Sequence, residues 1–134
     1  MANANGSPAR FVLLMIALTL CSLGCESPMQ RELARHRKVL AKILEQNPTA
    51  AAVDDALNAK PAQVAAPADA SEVAATWTNP LNSRDEVLEK MRRWPETRIY
   101  DKTSVVYLVY VDADGRMRDF TCLANLPSVT SGND

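Results

Sequence analysis

Nine consecutive residues, Thr103-Ser-Val-Val-Tyr-Leu-Val-Tyr-Val111, restrict the fold of this chain more than any other feature. β-Branched and aromatic side chains suit a pleated, largely buried surface, so the run predicts a strand. Side chains of a strand alternate between faces. Val105, Tyr107, Val109 and Val111 then share one face, and Val106, Leu108 and Tyr110 share the other. Both faces are apolar, which predicts a central strand covered on one side by a helix.

The flanking residues supply partners for it. Asp112-Ala-Asp-Gly115 predicts a hairpin turn, with Gly115 taking the positive φ. Arg116 to Leu123 returns as the next strand, with Met117, Asp119, Thr121 and Leu123 alternating against Arg118, Phe120 and Cys122. Thr97 to Tyr100 predicts a shorter strand, followed by a turn at Asp101-Lys102. Upstream, Asn79-Pro80-Leu81-Asn82 reads as a turn, and Ser83-Arg-Asp-Glu86 has the form of a capping box. The helix it opens carries Val87, Leu88 and Met91 on one face, with Trp94 near its end, and Pro95 forbids its continuation. The expected fold class is α+β, with a small head at residues 77–126. In it one helix packs on an antiparallel β-hairpin or three-stranded sheet. Residues 127–134 are expected to form a disordered tail.

A separate helix and a flexible Ala/Pro-rich linker are expected before this head. Met29 to Gln46 lacks Gly and Pro, and Leu33, His36, Leu40, Ile43 and Leu44 make a narrow stripe at helical spacing within an anchor-proximal basic helix, 25–48. Arg31, Arg35, Lys38 and Lys42 crowd the neighbouring positions. Two readings stay open: basic side chains facing anionic lipid, or a solvated helix packing weakly on the domain or a partner. Residues 49–76 read as linker with one short helix capped by Thr49. Within it, residues 61–76 hold two prolines and little but alanine and polar side chains, too few bulky groups to offset the entropy of ordering them.

The amino-terminal residues carry a different kind of signal. Arg10 precedes Phe11-Val-Leu-Leu-Met-Ile-Ala-Leu-Thr-Leu20, and Cys21-Ser-Leu-Gly-Cys25 follows. This is the order of an export signal, so residues 1–24 are expected to be a lipoprotein signal peptide. The apolar run to Cys25 has fifteen residues, against the roughly 20 needed to cross a bilayer. Arg31, Arg35, Arg37, Lys38 and Lys42 follow it, a placement that opposes a retained, outward-facing helix. Ser22-Leu-Gly-Cys25 resembles the lipobox of bacterial lipoproteins, in which a small residue precedes a lipidated cysteine. The resemblance implies lipid on Cys25 and membrane attachment through it. Glu26, in place of the aspartate that commonly retains such proteins at the inner membrane, favours the outer membrane.

No pattern points to catalysis, a cofactor, a metal or a small-molecule substrate, so the chain is expected not to be an enzyme. The formal net charge of −1 gives no footprint for nucleic acid. Asp112-Ala-Asp-Gly115 lacks the ligand spacing of a calcium loop, since Thr121 stands where the terminal Glu belongs. The single histidine, His36, lies far in sequence from any nucleophile with an orienting acid. Cys122 reads as a small core residue. Trp94, Tyr107 and Tyr110 are the candidate partner contacts, with packing at the helix end as the other reading of Trp94.

The segment from Ser83 to about Leu123 is similar to the small outer-membrane lipoproteins of the SmpA/OmlA type, subunits of the machinery that inserts β-barrel proteins. The shared elements are Ser83-Arg-Asp-Glu-Val87, Pro95, the Tyr-rich strand Val106–Val111, the turn Asp114-Gly115-Arg116 and the return strand Met117–Thr121. The helix ends Met91-Arg-Arg-Trp-Pro95 where that family has Leu-Gly-x-Pro. The resemblance implies a non-enzymatic envelope lipoprotein that scaffolds or assists a membrane complex through an envelope protein partner. The alternative is a tethered protein-binding or inhibitory module in the periplasm or at the cell surface.

Overall fold

The computed structural model describes residues 27–78 and 83–125. The leader with Cys21 and Cys25, the turn at 79–82 and the tail at 127–134 lie outside the described residues. The chain divides into a unit ending at Glu32 and one beginning at Leu33. The first contains the start of helix α1 (Pro28–Glu45). Ser27 and Gln30 form a reciprocal capping box there: the Gln30 N–H donates to Ser27 Oγ (3.1 Å), and the Ser27 N–H donates to Gln30 Oε1 (3.0 Å).

The second unit is α+β and is built on the predicted strand. Four strands lie in one antiparallel sheet, β1 (Gln63–Ala65), β2 (Glu96–Asp101), β3 (Val105–Val111) and β4 (Met117–Ala124), in that order. Every residue of β3 is buried. Its two faces enter two separate cores. Val105, Tyr107, Val109 and Val111 pack with Leu40 and Ile43 of α1 and with Val53 and Leu57 of helix α2 (Ala50–Leu57). Val106, Leu108 and Tyr110 pack with Val73 and Ala74 of helix α3 (Ala70–Trp77) and with Val87 and Met91 of helix α4 (Arg84–Arg93). The sheet is therefore covered on both sides, where a helix on one side was expected.

That arrangement corrects the expected linker. Residues 61–76 fold as β1, a 3-10 turn (Pro67–Asp69) and most of α3. Ala65, Ala70, Val73 and Ala74 are buried. Small side chains let this segment lie close to the sheet and to α4. The large apolar area it covers is contributed by Ile99, Leu108, Tyr110 and Met91, so its own lack of bulky groups did not decide the outcome. From Leu33 onward the expected basic helix is likewise no separate element, since Leu40 and Ile43 of α1 sit in the core. Asn47, at φ 50°, ends α1, and Pro48 leads directly to Thr49, whose hydroxyl accepts from the Ala52 N–H (3.2 Å) as predicted.

Two further expectations change. Ser83 makes no side-chain cap, and the Glu86 carboxylate, which would supply the return bond of the box, accepts from Thr121 instead. The alternation of β4 also breaks: Tyr110 pairs with Asp119 but Val111 pairs with Met117, leaving Arg118 as a bulge. Met117 thus joins Cys122 and Phe120 on the α1/α2 side rather than Leu123 on the other. The predicted turn after β3 forms as read, with Gly115 at φ +80° and its N–H donating to the Asp112 carbonyl (3.0 Å). The other turn falls later than predicted, at Lys102–Ser104, with Thr103 in the left-handed region (φ 71°).

Candidate functional site

With both faces covered, the edges of the sheet are its least enclosed surfaces among the described residues. The β1 edge is three residues long. At the other edge, Pro48 to Ala50 covers only the beginning of β4: the Pro48 carbonyl accepts from the Met117 N–H (2.9 Å), and Thr49 bridges Arg116. Beyond Arg118 the edge lies in a cleft of about 290 Å³. Arg37 of α1, Ser83 and Glu86 and Lys90 of α4, and Asp119 to Cys122 of β4 line it.

Lys90 is the hub of this cleft. Its Nζ lies 3.3 Å from Asp119 Oδ2 and 3.5 Å from Glu86 Oε2. It also donates to the Phe120 carbonyl (3.1 Å) and stands 5.8 Å from the centre of the Tyr110 ring. The Thr121 hydroxyl donates to Glu86 Oε2 (3.0 Å). A hydroxyl has one proton to give. Tyr110 therefore donates to Thr121 across their 2.9 Å contact, and a directed chain runs Tyr110 to Thr121 to Glu86. The Phe120 N–H is taken by Asp119 Oδ1 (2.8 Å). Side chains thus occupy the outward backbone groups of Phe120. The two-residue period of an antiparallel ladder turns the N–H and C=O of Cys122 to the same open edge.

The Cys122 thiol is buried, and burial pushes it up to about 11, against a smaller opposing influence from Arg37. Near neutral pH it is a thiol rather than a nucleophilic thiolate. Burial also raises Tyr110 well above the ordinary phenol range, and Glu86 and Asp119 add to the rise.

A second polar cluster faces α2. Asp54 accepts from Arg98 Nη2 through both oxygens (3.2 and 3.0 Å) and from the Tyr100 hydroxyl (2.5 Å). Arg98 Nε donates to that same phenol oxygen (3.2 Å). Burial alone would raise the Asp54 carboxyl, but the donors Tyr100 and Arg98 outweigh it and hold it below the usual carboxylate range. Tyr100 is pushed up to about 12, first by burial and then by its bond to Asp54. The cluster ties α2 to the sheet and leaves a shallow 420 Å³ depression beside Asp55, Asn58 and Lys60.

A pH prediction follows from the two phenols. Their folded-state values lie above the ordinary value of 10. The stability they contribute is whole below pH 10 and is lost as the pH rises through the raised values. Tyrosinate absorbance should therefore lag for Tyr100 and Tyr110 and climb together with unfolding between about pH 10 and 12, recorded by ultraviolet absorbance and circular dichroism in one titration.

The candidate contact residues fall in different places. Tyr107 and Tyr110 are buried, 3% and 0% exposed, in opposite cores, so neither offers a surface to a partner. Tyr107 instead meets His36 Nδ1 through its hydroxyl, which makes His36 part of the docking of α1. Trp94 is half-buried against the α3/α4 core, its Nε1 enclosed without a hydrogen-bond partner among the described residues, as is Thr97 Oγ1. The Lys90 hub and the Asp54–Arg98 pair had no sequence expectation. An arginine two residues before a core tyrosine on a strand, and Lys90 one turn after Glu86, were the available signals.

Among the described residues no group of three or more His, Cys, Asp or Glu is placed to hold a metal ion, and no helix is long and apolar enough to cross a membrane. No family model matches the chain, and no curated protein or solved structure matches it significantly.

Proposed function

We propose that this chain is a non-enzymatic envelope lipoprotein, held by lipid on Cys25 at the outer membrane, whose head is an accessory subunit of a membrane complex. The leader and its Gly24-Cys25 ending support the anchor, and the resemblance of residues 83–123 to assembly lipoproteins supports the role. The observation that carries the binding role is the open edge of β4, set in a cleft between α1 and α4. A cleft at a sheet edge with fixed charges beside it suits an extended protein segment, and the N–H and C=O of Cys122 are the backbone groups that β4 turns toward it. The Lys90 cluster narrows what can enter, because a partner must complement Arg37, Glu86 and Asp119.

A pull-down from detergent-solubilised envelopes tests this, with the wild type and Glu86→Lys as baits. Glu86 has a side chain 44% exposed, and reversing it sets two cations together in the cleft, so the bait is used once its circular dichroism matches that of the wild type. Capture of an integral barrel protein by the wild type, reduced about tenfold or more with Glu86→Lys, is the expected result. A soluble exported partner would favour the inhibitory module. Equal capture by both baits would remove the cleft from the interface.

A further inference from the structure

The apolar face of α1 is used up on the sheet. Leu40 and Ile43 are buried, and Leu33 and Leu44 pack against the same core. The opposite face carries a basic row. Arg35, Lys38 and Lys42 are all exposed, and at 100° per residue they lie within about 60° of one another, facing away from Leu40. Arg31 continues the row at the same spacing in the sequence. Arg37 is not part of it and turns to the β4 cleft. Glu32 and Glu45 are the two carboxylates of α1, one near each end of the row, and both Glu32 and Arg35 are themselves engaged in interactions.

We infer that this row seats the head on an anionic phospholipid surface, and so fixes which way the β4 cleft points. Charge complementarity and position both favour lipid as the occupant. α1 begins at Pro28, three residues after Cys25, so on the anchor reading given above, on which this inference rests for its location, the row is held at the membrane. The mode of binding is also specified. An interfacial helix ordinarily sinks its apolar face among the acyl chains. Here that face is occupied by the sheet, and Val39, 44% exposed, is the one large apolar side chain exposed on α1. Attachment through the row is therefore electrostatic, additive over its cations and sensitive to salt.

The test measures partition of the full chain onto vesicles of phosphatidylcholine, with and without about one third phosphatidylglycerol. The lipid of the processed chain, or the apolar leader of an unprocessed one, binds both, so the quantity read is the anionic-to-neutral ratio. Each basic side chain near such a surface contributes about fivefold. The triple variant Arg35→Gln, Lys38→Gln, Lys42→Gln should lower the ratio by about a hundredfold, and about 0.5 M salt should do the same to the wild type. Arg84→Gln, Arg92→Gln, Arg93→Gln removes equal charge from α4 and should leave the ratio near that of the wild type. A ratio unchanged by the α1 triple variant overturns the inference. So does a triple variant that keeps the ratio but loses an acidic protein from the envelope pull-down, which would assign the row to that protein. The intact mass of the wild type, taken in parallel with Cys25→Ala as the unlipidated reference, separates the two readings. An unlipidated wild type that still prefers anionic vesicles removes the anchor and keeps the row. A lipidated wild type with no preference removes the row and keeps the anchor.

Discussion

Asp54→Ala should lower the free energy of unfolding by about 3 kcal/mol, measured by urea denaturation at neutral pH. The side chains of Asp54 and Arg98 are 12% and 16% exposed. Removing the carboxylate leaves a largely buried guanidinium without its two-pronged acceptor, and takes from Tyr100 the acceptor of its hydroxyl proton. Loss of one partner of a buried pair costs about 3–5 kcal/mol. Glu96, 3.4 Å from Arg98 Nη1, still offsets part of the charge, which places the expectation at the lower end. The pH dependence has a defined sign. The Asp54 carboxyl is lowered in the folded state from an ordinary value of 3.8, so its contribution is complete above that value and is lost as pH falls through the lower, folded one. The gap between wild type and Asp54→Asn should accordingly be widest near neutrality and shrink below about pH 4. A gap that stays constant into acid would mean that the carboxylate charge contributes nothing.

Leu40→Ala should cost a further 2–5 kcal/mol by the same measurement, the range for a leucine truncated in a closed core. Leu40 is fully buried between α1 and the sheet, in the cluster that includes Val53, Tyr107 and Val109. The neighbouring Tyr107–His36 contact restrains the helix from relaxing into the space. This substitution separates the observed fold from a head preceded by a weakly docked helix. On a peripheral helix the change would fall within about 0.5 kcal/mol, as for surface positions generally.

The parts of this fold that could be read from sequence are those whose signals are local. The β3 run declares its own two buried faces, Asp112 to Gly115 declares its turn, and Pro95 declares the end of α4. What could not be read depends on partners distant in the chain. Ala70 and Ala74 are core residues only because Val87 and Met91 and the sheet supply the bulk they lack. Ser83 forms no capping box, and the Glu86 carboxylate accepts instead from Thr121, 35 positions on. The Asp54–Arg98 pair spans 44 positions. The bulge at Arg118 adds one residue to a strand and leaves no trace in its composition, yet it moves Met117 to the other core. Tyr107 and Tyr110 are instructive in another way: their alternation in β3 already implied burial, and that pattern outweighs the general tendency of tyrosine to serve at interfaces. The candidate site was the least legible, because an open edge is a property of strand order, and strand order depends on every strand in the sheet.

Lipid on Cys25 would place the head at the membrane, and the intact mass of the protein purified from a bacterial envelope reads that modification. Cleavage before Cys25 and a mass increment equal to its lipid are expected for the wild type. Cys25→Ala should retain residues 1–24 and carry no lipid. A wild-type chain that begins at Met1 and bears no modification would mean that Cys25 is not an anchor.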